Sequence, residues 1–156
     1  MARLRESQPA TARIGPMTVF HVIAAAILGC GAVQPSLMAF TTLDRGDQSQ
    51  IEKPRQAIVR TQAEWEALWK AHGAEIKAPA VDFTRAMVIG VFLGTRPTAG
   101  YAVEITRIEK REKELVVTWR ERSPGPRDLV AQVLTAPFVL VRTEPHAGPV
   151  RFQRAP

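Results

Sequence analysis

Residues 86–93, Ala-Met-Val-Ile-Gly-Val-Phe-Leu, carry no polar side chain at any position. A strand with one face in water alternates apolar and polar residues, whereas a strand held between two layers does not. This run is therefore the expected central strand of a sheet, and the rest of the chain must supply cover for both of its faces.

The runs that follow do alternate. Tyr101, Val103 and Ile105 interleave with Ala102, Glu104 and Thr106, and Leu115, Val117 and Trp119 interleave with Val116, Thr118 and Arg120. This pattern predicts a half-buried antiparallel hairpin. Between the two runs, residues 107–114 mix acids and bases, which suits a solvated hairpin tip. A Ser123-Pro124-Gly125-Pro126 break leads to shorter apolar runs at 129–134, 138–142 and 150–152, read as further strands.

One segment has the other period. Thr61-Gln62-Ala63-Glu64 has the form of a capping box, and Trp65, Leu68, Trp69 and His72 follow at helical spacing, with Gly73 to close the helix. Two tryptophans one turn apart are what a helix needs to lie across a sheet, so they are assigned to the core rather than to an exposed binding stripe. The expected fold class is α+β: an antiparallel sheet of five to seven short strands, sandwich- or barrel-like, with one amphipathic helix packed on it.

The amino-terminal part reads differently. Arg3, Arg5 and Arg13 precede an apolar stretch over residues 17–28, interrupted by Thr18 and His21, and this is the layout of an export signal. The stretch falls short of the ~20 residues that cross a bilayer. It ends in Ile27-Leu28-Gly29-Cys30, which resembles a lipobox, so Cys30 is the expected lipidation site, bearing diacylglycerol and palmitate-type acyl chains. The alternatives are an uncleaved signal anchor or ordinary secreted cleavage. The expected organisation is a lipoprotein signal peptide over 1–29, a flexible tether over 30–53 and a domain over 54–156. The expected location is the bacterial cell envelope, facing the periplasm or the exterior, and Gly31 after the cysteine favours the outer membrane where there is one.

Composition removes several classes of chemistry. Cys30 is the only cysteine, so the domain has neither an internal disulfide nor a cysteine metal cluster. There is no Gly-x-Ser-x-Gly, no paired histidines, no calcium loop and no phosphate-binding glycine loop. His72 and His146 are expected at the surface, and Asp82 is expected to cap a turn. No catalytic residue, metal site or cofactor is assigned, and the chain is expected not to be an enzyme. The formal charge of +6 falls to +4 without Arg3, Arg5, Arg13 and Glu6. With one tyrosine and no aromatic platform beside its bases, the chain is not expected to bind nucleic acid.

What remains is Leu93-Gly94-Thr95-Arg96-Pro97-Thr98-Ala99-Gly100-Tyr101, a loop between two strands. Pro97 fixes one torsion, Gly94 and Gly100 permit unusual ones, and Tyr101 offers a ring with a polar tip. Gly94, Arg96, Pro97, Thr98, Gly100 and Tyr101 are the candidate partner-binding residues. The alternative is that Pro97, Gly100 and Tyr101 only hold a tight connection.

Val81-Asp82-Phe83, the run 88–101 and Leu134-Thr135-Ala136-Pro137-Phe138, with Trp65 and Trp69 before them, resemble the PrcB C-terminal domain over about residues 56–153. That family takes its name from a lipoprotein accessory subunit of a bacterial surface protease complex. The resemblance implies a non-catalytic domain that binds and stabilises a protein partner, a protease or a protease complex. Arg96-Pro97-Thr98-Ala99-Gly100-Tyr101 is also similar to the Asn-Pro-Thr-Thr-Gly-Tyr loop of chagasin-like inhibitors. That similarity implies the alternative function, inhibition of papain-like cysteine proteases by insertion of this loop.

Overall fold

The computed structural model describes residues 35–73 and 77–156. The expected signal peptide over 1–29 and Cys30 lie outside the described residues. The chain divides into the units Met1–Gly31 and Ala32–Pro156, and everything below belongs to the second.

In chain order the elements are β1 (Ser36–Leu37), β2 (Phe40–Gly46), β3 (Arg55–Val59), α1 (Gln62–His72), β4 (Met87–Phe92), β5 (Ala102–Arg111), β6 (Glu114–Arg122), β7 (Phe138–Thr143) and β8 (Val150–Arg154). They form two four-stranded sheets, β1-β5-β6-β8 and β2-β7-β4-β3, with the helix on the second. The class is α+β, as expected.

The apolar run is one of the two inner strands of its sheet. β4 pairs antiparallel with β7 on one side and β3 on the other, and all six of its residues are buried. Met87, Ile89, Val91 and Leu93 pack against Val103, Ile105, Ile108, Leu115 and Val117 of the facing sheet. Val88 and Phe92 join Trp65, Leu68, Trp69, Ala57, Val59, Phe138 and Leu140 in a second core under the helix. On that face Gly90 leaves room for Leu140, whose Cδ2 would stand 2.8 Å from a Cβ there. Strand pleating thus sends alternate residues into two different cores, which is why the run has no polar position.

The helix begins and ends as its sequence dictates. Thr61 Oγ1 accepts from the Glu64 amide at 3.2 Å, and Glu64 Oε2 accepts from the Thr61 and Arg60 amides at 3.2 and 2.8 Å. Those bonds, the one from the Arg60 amide first, hold the Glu64 carboxyl below the usual carboxylate range. Gly73 closes the helix at φ 75°, a left-handed torsion that favours glycine. Trp65 and Trp69 are buried with ring centres 5.1 Å apart, and the Trp65 indole donates to Pro79 O at 3.0 Å. The tryptophans are core, as expected.

Four expectations are corrected. Residues 36–46, assigned to the tether, form β1 and β2; β2 pairs with β7 across a bulge between Thr42 and Asp44. These strands escaped notice because β1 has two residues and β2 is a half-exposed edge, so neither shows a sustained period. With β3 they bring the described strands to eight. The run 129–134 is no strand but part of an irregular loop over residues 123–134. Finally, β6 and β8 pair in parallel. A parallel pair needs a crossover, and here the connection passes through β7 in the other sheet.

The hairpin lies where the alternation placed it. β5 and β6 meet at a tight turn in which Glu112 adopts φ 48°. A bulge between Ile105 and Arg107 shifts the alternation by one, so Arg107, Glu109 and Arg111 share the outer face. Glu109 is buried between the two guanidiniums, at 3.1 and 2.7 Å, and Arg111 above all holds its carboxyl below the usual range.

Candidate functional site

The loop 93–101 leaves β4 and enters β5 at the end of the sandwich opposite the hairpin turn, where the 123–134 loop also leaves β6. The two loops are stitched together by their backbones. Leu93 N donates to Pro137 O at 2.9 Å, Arg96 and Thr135 exchange both backbone bonds at 2.7 and 3.0 Å, and Ala99 N donates to Ala131 O at 3.0 Å. Thr135 Oγ1 adds a bond to Thr98 O at 2.9 Å.

The candidate residues fall into two groups. Gly94 is buried, with φ 73°. A Cβ there would stand 2.5 Å from Glu52 O and 2.8 Å from Pro54 N, so the glycine lets the loop press on the chain entering β3. Arg96 also turns inward. Its Nε donates to Glu121 Oε1 at 3.0 Å, its Nη1 donates to Leu93 O at 2.9 Å, and its guanidinium lies 5.9 Å from the Tyr101 ring centre. Glu121, buried at its side chain, takes Arg154 at 3.0 Å as well. These two residues brace the loop.

Pro97 and Gly100 are exposed, whereas Thr98 and Tyr101 are half-buried. Gly100 has φ 89°, and a Cβ there would approach Val130 Cγ1 to 3.0 Å and Pro124 Cβ to 3.2 Å. Tyr101 stands in the wall of a groove of about 860 Å³ with Arg45, Asp47, Glu104, Arg122 and Phe138. The six residues therefore do not share one outward edge.

The exposed apolar surface lies on the neighbouring loop. Leu129 is 103% exposed, Leu134 71% and Val133 51%; among the described residues the other large exposed apolar side chain is Leu37, on β1. Sequence reasoning took these residues for a further strand. The available signal was Ser123-Pro124-Gly125-Pro126 immediately before them, followed by Asp128. That carboxylate accepts from Gly125 N at 2.8 Å and closes a turn.

A second cluster was not foreseen. His72, expected at the surface, is 2% exposed, with its ring 4.1 Å from that of Phe138. The last helical turn lies flat on the sheet, so the residue at the apolar spacing goes under whatever its polarity. Its Nδ1 lies 2.9 Å from Ser49 Oγ and its Nε2 lies 3.8 Å from Asp44 Oδ2. Burial lowers its pKa, with Asp44 opposing.

Serine, histidine and aspartate together invite comparison with a nucleophilic triad. The geometry differs, because the serine faces Nδ1 and the carboxylate is beyond hydrogen-bond range. The amides of Ser49, Gln50 and Ile51 are already bonded to Ala136 O, His72 O and Ser49 Oγ, so none is turned toward a developing oxyanion. The cluster ties the chain between β2 and β3 to the helix end. His146 is half-buried, and its carbonyl takes Arg60 Nε at 3.0 Å. Asp82 accepts from the Thr84 amide at 3.0 Å and its hydroxyl at 2.6 Å, capping a turn as expected.

No curated protein and no solved structure matches this chain. A family model does match, over the part that holds β4, both loops, the hairpin and β7, while β1 to β3 and the helix lie outside the matched span. Residues 87–144 match the family described as PrcB C-terminal, the same family that the strands and the glycine loop resemble.

Proposed function

We propose that this chain is a non-catalytic domain of the bacterial cell envelope, lipid-anchored through Cys30, that binds and stabilises a protein partner, a protease or a protease complex. The family match over residues 87–144 carries this reading. The engaged amides around Ser49 support it, because they leave the histidine cluster in a structural role.

Inhibition of a cysteine protease by the 96–101 loop is the weaker alternative. Arg96 is held by Glu121, and the loop backbone is bonded to residues 131 and 135, so entry into a cleft would first require those bonds to open.

The test is copurification of the tagged full-length chain from its own envelope, with the half-life of the copurified protease followed in cells that have or lack the chain. A protease whose half-life falls in the deletion is expected. No copurified protease and unchanged envelope protein levels would overturn the proposal. Two further measurements separate its parts. Labelled palmitate should mark the wild type and not Cys30→Ser, and titration of papain with the chain should leave its activity unchanged, whereas stoichiometric inhibition would favour the alternative.

A further inference from the structure

We propose that the partner docks on the 123–134 loop, with Leu129, Val133 and Leu134 entering an apolar groove of a protein whose rim is acidic where it meets Arg122 and Arg127. This rests on the partner-binding function proposed above and names its surface.

Three of the four large exposed apolar side chains among the described residues lie in this one loop. Scattered exposed leucines are ordinary, but a cluster on one segment marks a contact surface. The loop is also not slack. Its backbone is held by Ala131 O to Ala99 N and by the Arg96–Thr135 pair, and its turn is closed by Asp128 on Gly125. A loop whose backbone is already held loses less conformational entropy when a groove covers it than a free one does. The glycine loop thus serves as the brace of the docking surface.

Charge narrows the occupant. Arg127, two residues before Leu129, and Arg122, at the end of β6 where the loop leaves the sheet, are both exposed, and the Asp128 carboxylate is engaged within its own turn. An acidic rim complements that side, and desolvating the leucines drives the contact.

Chain length argues against the anchoring bilayer as occupant. The described chain starts at the hairpin end, where Pro35 lines a groove with Arg111, Glu112, Lys113 and Glu114 and Ser36 pairs with Lys110. Whatever path the intervening residues take, the five steps from Cys30 to Pro35 reach at most about 18 Å. The ten residues of β5 separate the hairpin end from the loop end by roughly 33 Å. If the chain is anchored through Cys30, as proposed above, the hairpin end is the part of the domain that the anchor must keep near the lipid, and the 123–134 loop is under no such constraint.

The test is a photo-crosslinking residue placed singly at Leu129, Val133, Lys113 and Gln56 of the full-length chain in its own cell. The expected result is an adduct with one protein at 129 and 133 and none with it at 113 or 56. The same protein, purified, should bind Leu129→Asp at least tenfold more weakly than wild type, with the melting temperature of the chain unchanged because Leu129 packs on nothing. If that protein crosslinks from Lys113 or Gln56 instead, or Leu129→Asp binds it normally, the surface is wrong while partner binding stands. Lipid or a second copy of the chain at 129 also overturns the surface. No protein adduct at any of the four positions overturns the surface, and the copurification above then decides whether partner binding stands.

Discussion

The helix layer and the loop end of this domain are both rich in apolar residues and are held together in opposite ways. Under the helix, Trp65, Leu68, Trp69, Phe92 and Phe138 are buried against one another, with His72 enclosed among their rings. At the loop end, backbone hydrogen bonds and one guanidinium form the connections, while Leu129, Val133 and Leu134 stay outside. Burial fixes the first region and directed polar bonds fix the second. The difference teaches where each kind of substitution should be felt: truncating a large side chain should cost stability in the helix layer and binding at the loop end.

The largest effect is expected from Trp65→Ala. It should lower the unfolding free energy by about 3–5 kcal/mol, measured by urea denaturation, while leaving any partner affinity of the folded fraction intact. Gly94→Ala comes next. It should cost more than the ~1–2 kcal/mol of a left-handed torsion alone, because its Cβ also meets the Glu52–Pro54 backbone. A cost near zero would mean that the glycine loop does not press on the chain entering β3.

Arg96→Met should cost roughly 1.5–3 kcal/mol, in the range of charged hydrogen bonds, through the loss of Glu121 and Leu93 O as partners. It should also weaken partner binding indirectly by loosening the brace. Smallest in stability is Leu129→Asp, expected within about 0.5 kcal/mol of wild type, and its effect should appear in binding alone. If Leu129→Asp unfolded the domain, the division between the two regions would fail.

Mild acid probes the helix layer through buried His72. Burial lowers the His72 pKa in the folded state below the usual imidazole value, with Asp44 of β2 as the opposing charge and Ser49, Trp69, Phe92 and Phe138 as the other groups around it. The unfolded chain therefore takes up the proton first. Stability should decline as pH falls below about 6.5, and that part of the slope should vanish in His72→Gln. A slope unchanged by the substitution would assign the acid sensitivity to other groups.

Much of the fold was legible because its strongest elements announce themselves locally. β4 has no polar position, β5 and β6 alternate, and α1 carries both caps in its own sequence. Gly94 and Gly100 were expected to need unusual torsions, and both have them. The losses have physical reasons. β1 to β3 are short or lie at edges, so half-exposure hides their period. Arg96 was taken for an outward contact because its partner Glu121 is 25 residues away, a distance that no local pattern reports. The 129–134 run has strand composition, yet its backbone bonds with the glycine loop instead of a sheet, which leaves its apolar side chains in solvent. Composition could not distinguish those outcomes, and the proline-glycine break before the run was the better signal.

Hydrogen–deuterium exchange of the full-length chain, alone and bound to its crosslinked partner, would test most directly whether the loop end is the working surface. New protection over residues 123–134 and 96–101, with none over 111–114, is the expected result. Protection confined to the hairpin turn or to β3, with the 123–134 loop exchanging as it does in the free chain, would contradict it.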